Sequence, residues 1–468
     1  MSTTETPNES LSATTKTSEA TNIEQISNVV KAEFQVDSVF VEHGIPMFYV
    51  QLQQDSKQAF LRLIKNLAPL NLMPVLRRQD DKIVLSIVTK PQKKPSKPII
   101  NILLFLATLA TTFATGYYLS LELVEKGFMS SPFIGAIMFS AALLAVLGAH
   151  EMGHTIAARK HGIEATPPYF IPGPPPIGGL LGIGTFGAVI IQKDVPPNKD
   201  ALFDMGASGP IIGFIITIFV TLIGLALSPA TYMLPKGPFL PLPLLFIPIE
   251  HLVAFLGVKW EGNVILLHPI AFAGFIGMIV TMLNLLPTGT LDGGHVAKCL
   301  SGDRARIVLT VFSIVFLVAL GYWPMAFLVL FLSMYKHPGP LEDVSKLSLG
   351  RKLVVVALIV IFAVCGITVS TPVYTLKIDA VKSNGDNLVG VPFCLYYAEG
   401  KCYSNQTPYT FDYLAAGNYM VSLNLTVTIG GKRYQFDRWE MGKLNGTEPV
   451  IPVKLSSNIL LRAFYHEK

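Results

Sequence analysis

The stretch that decides the fold is LAVLGAHEMGHTIAARKHG, residues 144–162, in which an H-E-x-x-H pattern ends a long uncharged segment. The pattern places His150 and His154 four residues apart, with Glu151 beside the first of them. The eighteen residues before it, 132–149, carry no charge. A run of that length and character is typical of a helix that spans a membrane. The sequence therefore predicts a polar site of the metal-binding type inside a lipid-embedded helix.

The composition supports a membrane location for most of the chain. Of its 468 residues, 51% are hydrophobic and only 14% are Asp, Glu, Lys or Arg, compared with roughly 25% charged residues in soluble domains. The charge deficit is concentrated between residues 99 and 372, where long apolar runs follow one another. These features predict a polytopic α-helical membrane protein with about six to seven spans, and they exclude a soluble enzyme with a large core.

Changes in composition along the chain predict five segments. Residues 1–21 are rich in Ser and Thr and lack large apolar groups, which is typical of a disordered tail. Residues 22–90 show the pattern helix, two strands, helix, two strands of a small soluble α/β domain, and residues 91–98 form a basic, proline-rich linker. Residues 99–372 hold the apolar runs. Residues 373–468 consist of short strand patterns separated by turns, which predicts an external all-β, sandwich-like domain.

The apolar runs predict the positions of the spans, which we place at about 99–120, 132–158, 205–228, 267–287 and 352–371. Residues 307–335 are apolar but interrupted by GYWP, so we expect either a tight pair of short spans or a re-entrant hairpin. Residues 238–257 are also apolar, but their four prolines would leave helix hydrogen bonds unformed. For that segment we expect a loop at the interface or under protein.

Basic residues predict the orientation of the chain. Lys and Arg lie before the first span, after the second, before the third, and on both sides of 307–335. All these loops fall on one side of a cell membrane if 307–335 crosses twice or re-enters. The N-terminus is then cytoplasmic and residues 373–468 are extracytoplasmic.

Two features of the C-terminal segment agree with an external position. It contains three N-x-S/T sequons, at Asn405, Asn424 and Asn445. It also contains Cys394 and Cys402, which an oxidising compartment would allow to form a disulfide. The sequence leaves open whether that disulfide forms.

Helical spacing gives the H-E-x-x-H pattern a chemical meaning. Residues at i and i+4 share one face of a helix, so His150 and His154 can both face one ion. Imidazole nitrogen is a good zinc ligand, and a catalytic zinc site has three protein ligands and one open position. Glu151 lies near the same face and can take a proton from a water bound there. The alternative, polar residues that merely pack between helices, is disfavoured because ionisable groups at membrane depth are costly.

A third ligand is expected in NLLPTGTLDGGHVAKCL, residues 284–300, at the end of the fourth span. This span runs in the same direction as the second, so its end reaches the depth of the histidines. Pro287 and Gly289 would open the helix, and broken backbone is tolerated at membrane depth where it lines a polar cavity. We favour Asp292 because a carboxylate completes a His/His/acid zinc set. The rival ligand is His295.

The stretch GTFGAVI, residues 184–190, is a β-prone run that follows many glycines and prolines. A strand near the site can pair with an unfolding substrate segment by β-addition. This hypothesis makes Gly184, Thr185, Phe186 and Gly187 the expected substrate-binding residues. The alternative is a membrane-embedded loop that only covers the site.

Two motifs together resemble those of a known family. AHEMGH, residues 149–154, and NLLPTGTLDGGH, residues 284–295, resemble the paired H-E-x-x-H and N-x-x-P-x-x-x-L-D-G motifs of the site-2 protease family of intramembrane zinc metalloproteases. The resemblance spans roughly residues 99–300 and looks closest to the archaeal, cyanobacterial and plastid branch. As a pair the motifs are highly specific.

The resemblance implies a role for each matching residue. It implies that His150, His154 and Asp292 bind Zn²⁺. It further implies that Glu151 is the general base and that Asn284 helps to hold the substrate or the oxyanion.

These observations predict an intramembrane zinc-dependent endopeptidase that cuts a peptide bond within or near a transmembrane segment. The expected partner is a membrane-protein substrate with a transmembrane helix; a homo-oligomer is possible, and no nucleic acid is expected. Two alternatives are a metal transporter or sensor that uses the same His/His/Asp site, and a catalytically inactive scaffold that presents its external domain. Glu151 separates these hypotheses, since hydrolysis requires an acid beside the first ligand whereas transport does not.

Overall fold

The computed structural model describes residues 23–52, 56–92, 98–176, 182–231, 240–261, 264–289, 291–301, 303–333, 339–370, 372–398, 401–442 and 444–468. The predicted tail at 1–21 and most of the predicted linker at 91–98 lie outside these residues. The chain divides into two compact units. The first contains residues 1–115, 144–216 and 280–363, and the second contains 116–143, 217–279 and 364–468.

The first unit begins with a small α/β layer. Its elements are α1 (23–31), β1 (Gln35–Glu42), β2 (Ile45–Gln51), α2 (Ser56–Leu67), a 3-10 turn (Ala68–Leu70), β3 (Leu72–Gln79) and β4 (Lys82–Thr89). The antiparallel sheet has the order β1-β2-β4-β3. Apolar residues on one sheet face pack on the helices, and Phe48, Phe60 and Leu85 are fully buried there. The order of helices and strands is the one that the sequence pattern predicts for this segment.

Among the described residues, four helices are long and apolar enough to cross a membrane: α3 (Pro98–Glu125), α4 (Pro132–Lys160), α5 (Lys199–Ala226) and α11 (Leu349–Gly366). The shorter helices are α6 (Phe246–Phe255), α7 (Pro269–Asn284), α8 (Asp292–Leu300), α9 (Asp303–Ala319) and α10 (Trp323–Ser333). The prediction of a helical membrane protein is thus confirmed at this level, whereas the count of about six to seven spans stays a prediction.

Three details of the membrane segment differ from the sequence pattern or refine it. The predicted loop at 238–257 is wrong in its second half, because α6 forms there. Pro248 lies in the first turn of α6, where a missing N–H costs no intrahelical hydrogen bond.

The helix of the third span, α5, begins at Lys199, whereas the apolar run predicted a span from about residue 205. The earlier start is due to Asn198, whose side chain caps the helix by accepting a hydrogen bond from the Ala201 amide at 2.9 Å. The apolar unit at 307–335 divides at 320–322 into α9 and α10.

Short strand pairs connect the helices. In the first unit, β5 (Tyr169–Pro172) and β6 (Thr185–Val189) form a two-stranded antiparallel sheet, which we call the β5–β6 ribbon. In the second unit, β7 (Ala230–Thr231) pairs with β9 (Val264–Ile265), and β8 (Leu242–Pro243) pairs with β10 (Thr368–Val369).

The C-terminal part of the second unit is rich in β-structure. Its strands are β11 (Val373–Lys382), β12 (Pro392–Ala398), β13 (Lys401–Gln406), β14 (Tyr409–Ala415), β15 (Gly417–Leu423), β16 (Thr426–Ile429), β17 (Lys432–Met441), β18 (Leu444–Gly446), β19 (Val450–Leu455) and β20 (Ile459–Glu467). One sheet has the order β14-β11-β20-β17-β16, with β18 beside β17, and the other has the order β13-β12-β15-β19. Both sheets contribute to one core that includes Leu395, Trp439 and Tyr465. Cys394 and Cys402 are joined by a disulfide, with their Cα atoms 5.7 Å apart.

Candidate active site

The two histidines of the H-E-x-x-H pattern converge on one side of α4. Their Nε2 atoms lie 3.1 Å apart, because one helical turn separates the residues. His150, Glu151 and His154 are all buried, with 5%, 5% and 8% of their surface exposed. Ligand atoms from these three side chains lie within 4.8 Å of one another.

Asp292 completes the cluster from α8. Its Oδ2 atom lies 3.1 Å from Nε2 of His150 and 3.2 Å from Nε2 of His154. The sequence prediction that the backbone opens near Pro287 agrees with the end of α7 at Asn284 and the start of α8 at Asp292. His295, the rival ligand, lines the same cavity one turn further along α8.

The separations of the three donor atoms fit a tetrahedral zinc site. Zinc binds imidazole nitrogen and carboxylate oxygen at about 2.0–2.2 Å, so two ligands at a tetrahedral angle lie about 3.3 Å apart. The three distances in the cluster are 3.1, 3.1 and 3.2 Å. Two imidazoles and one carboxylate are also a donor set that zinc uses in hydrolases. His150, His154 and Asp292 therefore have the geometry and the chemistry to hold the ion.

A backbone carbonyl sets the orientation and tautomer of His154. Nδ1 of His154 lies 2.7 Å from the carbonyl oxygen of Met205, on α5. A carbonyl only accepts hydrogen bonds, so Nδ1 carries the proton and Nε2 keeps its lone pair for a metal. The sequence pattern did not single out Met205, because its contribution comes from the main chain.

Glycines of α5 lie directly against the histidines. A Cβ atom at Gly209 would lie 2.2 Å from Nε2 of His154, and one at Gly213 would lie 3.1 Å from Nδ1 of His150. On the same helix face, a Cβ at Gly206 would lie 2.8 Å from the Asp292 carbonyl oxygen. The spacing of these glycines, three and four residues apart, was the available sequence signal, and it indicates close helix packing without showing what packs there.

Glu151 and Asn284 lie beside the three donor atoms. Ligand atoms of Glu151 lie within 4.8 Å of those of both histidines, and Ile190, the residue that follows β6, lines the same cavity as Glu151. Nδ2 of Asn284 lies 3.3 Å from Nε2 of His150. The structure thus brings together all five residues for which the sequence predicted catalytic or metal-binding roles.

A cavity of about 190 Å³ opens onto this cluster. Its lining residues are His150, Glu151, His154, Ala188, Val189, Ile190, Gln192, Met205, Asn284, Leu291, Asp292 and His295. The four predicted substrate-binding residues, Gly184 to Gly187, do not border this cavity. They come directly before Ala188, Val189 and Ile190, which do border it. Thr185 is buried and donates a hydrogen bond to the carbonyl of Ile171 at 2.8 Å, whereas Phe186 is 74% exposed.

The helices and these side chains form a candidate metal site of the H-E-x-x-H type, carried in part by α4, which is long and apolar enough to cross a membrane. Residues 138–322 match the family model described as peptidase family M50, which confirms the resemblance to the site-2 protease family over that segment. The three donor groups His150, His154 and Asp292 are of the kind that zinc binds, so this cluster could hold a zinc ion.

Two curated proteins of Arabidopsis thaliana are similar to the chain. The first, "Probable zinc metalloprotease EGY1, chloroplastic", is 27% identical over 292 residues, which cover 56% of this chain and 52% of that protein. The second, "Probable zinc metalloprotease EGY2, chloroplastic", is 29% identical over 204 residues, which cover 43% of this chain and 35% of that protein. The chain therefore spans about half or less of the length of these relatives.

A solved structure, the C-terminal fragment of the pilus adhesin SpaC from Lactobacillus rhamnosus GG, aligns with 22% of this chain and 47% of that chain at 12% identity and a TM-score of 0.15. A similarity at that score supports no conclusion about either fold or function.

Proposed function

We propose that the protein is an intramembrane zinc-dependent endopeptidase that cuts a peptide bond within or near a transmembrane segment of another membrane protein. The observation that carries the proposal is the convergence of His150, His154 and Asp292 within 3.2 Å of one another. Both histidines and Glu151 lie on α4, which is long and apolar enough to cross a membrane. The match to peptidase family M50 supports the same reaction class.

Each residue of the site has a separate role in the proposed reaction. A zinc ion held by His150, His154 and Asp292 would lower the pKa of water toward neutrality and would polarise a carbonyl group. Glu151 takes the proton of the attacking water and passes it to the leaving amine. The amide of Asn284 donates a hydrogen bond to the carbonyl oxygen of the substrate as that oxygen gains negative charge. The Met205 carbonyl holds His154 in the tautomer that binds metal.

The β5–β6 ribbon presents the substrate in an extended form. β6 pairs with β5 along one edge, and its other edge has no strand partner in the described part of the chain. A helical substrate must unfold before its amide can be attacked, and pairing with a free edge stabilises the unfolded segment. This proposal is supported by the position of Ile190, which directly follows β6 and lines the same cavity as Glu151. Gly184, Thr185, Phe186 and Gly187 would contact the substrate on the approach to the site.

The basic residues beside the spans support an N-terminus in the cytoplasm and an extracytoplasmic C-terminal domain in the cell membrane. The disulfide between Cys394 and Cys402 supports the same orientation, since disulfides persist in oxidising compartments. The proposed partner is a membrane protein with a transmembrane helix, and a second copy of this chain is the other proposed partner.

The decisive experiment uses the full chain, purified in detergent with zinc, and a reporter that contains a transmembrane segment. Glu151→Gln should keep zinc bound and reduce cleavage by at least about 100-fold, because it removes the general base but no ligand. Glu125→Gln, at the exposed end of α3, is the matched control and should cleave as the wild type does. Equal cleavage by Glu151→Gln would contradict the mechanism. Zinc transport into vesicles by a wild type that cleaves nothing would instead support the transporter.

A further inference from the structure

The base of the β5–β6 ribbon is tied to α3 by a buried amide. Nδ2 of Asn101 donates hydrogen bonds to the carbonyl oxygens of Pro167 and Pro168 at 3.0 and 3.2 Å. These two residues immediately precede β5. Asn101 is only 8% exposed, so water does not compete effectively for these bonds. The start of the ribbon is therefore attached to a membrane helix.

The far end of the ribbon is tied to the same helix. The hydroxyl of Thr111 lies 2.6 Å from the carbonyl oxygen of Gly184, closer than the helix carbonyls of Ala107 and Thr108 at 3.0 and 3.1 Å. A hydroxyl has a single proton to donate, and the shortest contact is to Gly184. The second attachment thus lies immediately before β6.

An aromatic contact fixes the ribbon between its two ends. The rings of Phe105 on α3 and Phe170 on β5 meet edge to face, with their centroids 5.4 Å apart. Asn101 and Thr111 are about 15 Å apart along the helix, at about 1.5 Å per residue. A strand of four to five residues covers about the same length, so α3 supports the ribbon from end to end.

Gly184 is the residue that permits this close approach. Its φ is +80°, and a Cβ atom there would lie 2.7 Å from both the Thr111 carbonyl oxygen and Oγ1 of Thr115. A side chain at this position would push the ribbon away from α3, and the backbone conformation itself favours glycine.

The side of the ribbon that faces away from β5 is where substrate pairing is proposed. Phe186 and Val189 are 74% and 46% exposed, which provides apolar surface suited to the aliphatic side chains of a transmembrane segment. Just after the end of this strand, Ile190 lines the same cavity as Glu151. A shift of the ribbon along α3 would therefore move the paired substrate relative to the general base.

We infer that α3 is the fixed support of the substrate-pairing ribbon, and that Asn101 and Thr111 are positioning residues that set where the substrate lies relative to Glu151. This inference rests on the proposed function. It assigns a role in substrate placement to a helix that contributes none of the metal ligands, and the partner that it concerns is an extended apolar segment.

The first test compares hydroxyl deletions on one helix. Thr111→Val keeps the side-chain shape but removes the bond to Gly184, so we expect KM for a transmembrane substrate to rise about 5-fold, with kcat within about 2-fold and zinc content unchanged. Thr108→Val is the matched control, because the Thr108 hydroxyl bonds only to Leu104 of its own helix among the partners seen. Thr111→Ser retains the hydroxyl and should restore the wild-type KM. Equal KM values for Thr111→Val and Thr108→Val would overturn the inference.

A second variant tests the same support at a different residue, so that a folding defect in Thr111→Val alone does not decide the result. Asn101→Leu removes both bonds at the base of the ribbon with little change in volume, and it should raise KM in the same direction. If zinc content is normal in both variants and KM is unchanged in both, α3 does not position the substrate.

Cross-linking separates failure of this inference from failure of the proposed function. Val189→Cys, on β6, should cross-link to cysteines in a stalled substrate when it is combined with Glu151→Gln, and adding Thr111→Val should reduce the yield about 5-fold. If the wild type cleaves the substrate but Val189→Cys in the Glu151→Gln background gives no cross-link, pairing along β6 is wrong and the inference fails with it. A full yield in the presence of Thr111→Val would overturn the role of α3 alone.

Discussion

Nε2 of His150 and Oδ2 of Asp292 lie 3.1 Å apart, although 142 residues separate them along the chain. The two atoms meet because the end of α7 opens at Asn284 and α8 begins at Asp292, next to the H-E-x-x-H turn of α4. A carboxylate placed this close to two imidazoles is held either by protons or by a metal, and the donor separations fit zinc.

The third ligand is tested by comparing Asp292 with its rival, His295. Asp292→Asn keeps the shape but removes the negative charge, so we expect zinc affinity to fall by more than about 100-fold, beyond the range seen for residues that only support a ligand. His295→Asn should retain most of the zinc, because Asp292 already lies 3.1 and 3.2 Å from the two histidines, whereas His295 lines the cavity one turn further along α8. Zinc content after dialysis against metal buffers, measured by mass spectrometry, gives the comparison. The reverse order of effects would identify His295 as the ligand.

The close packing of α5 on the ligands predicts a strong effect of one methyl group. In Gly209→Ala the new Cβ would lie 2.2 Å from Nε2 of His154, so the ring must move and the metal site opens. We expect loss of zinc and of cleavage, with the helical content in circular dichroism unchanged. Gly350→Ala, on α11, introduces the same group where nothing lies within 4 Å, and it should leave both properties unaltered. Normal zinc binding by Gly209→Ala would show that α5 and α4 do not pack as described.

A cluster of ion pairs at the start of α5 is expected to stabilise the first unit. Arg351 binds both carboxylate oxygens of Asp204, at 2.6 and 2.7 Å, and lies 3.3 Å from Asp200. Arg351→Met leaves these part-buried carboxylates under-compensated, so we expect a loss of about 2 kcal/mol and a lower denaturation temperature in detergent.

The control for this stability prediction is Arg62→Met. Its ion pair with Glu33 at 2.8 Å is of similar length, but the Arg62 side chain is 55% exposed compared with 25% for Arg351. Solvent weakens exposed pairs, so the control should shift the denaturation temperature less. Equal shifts in the two variants would argue against a special role for the Arg351 cluster.

The four cysteines provide a test of orientation. Cys394 and Cys402 are paired, whereas Cys299 and Cys365 are free and buried. In protein taken from intact membranes, mass spectrometry without reduction should find the first two linked and the other two alkylated only after denaturation. Cys394→Ser should make Cys402 reactive toward a membrane-impermeant thiol reagent added from outside. Reaction only after the cells are opened would place the C-terminal domain in the cytoplasm.

Features with a strong local cause were predictable from the sequence. The helix of the H-E-x-x-H motif follows from its length and lack of charge, and the strands around His43-Gly44 follow from β-branched and aromatic residues on both sides of a turn. The loop predicted at 238–257 was wrong around Pro248, where helix α6 forms. Proline is tolerated in the first turn of a helix, so whether it prevents a helix depends on its exact position in that helix. The start of α5 was missed by several residues because Asn198, a capping residue, lies outside the apolar run.

The sequence by itself determined the membrane class, the helix that carries two ligands and the general base, and Asp292 as the candidate third ligand. It could do so because lipid leaves few alternatives to an apolar helix, and because the spacing of i and i+4 is a property of the helix alone. Only the tertiary structure decided that Met205 orients His154, that Gly209 makes room for its ring, and that α3 supports the β5–β6 ribbon through Asn101 and Thr111. Each of these depends on contacts between segments distant in sequence, made by backbone atoms or by the absence of a side chain, which no local pattern records.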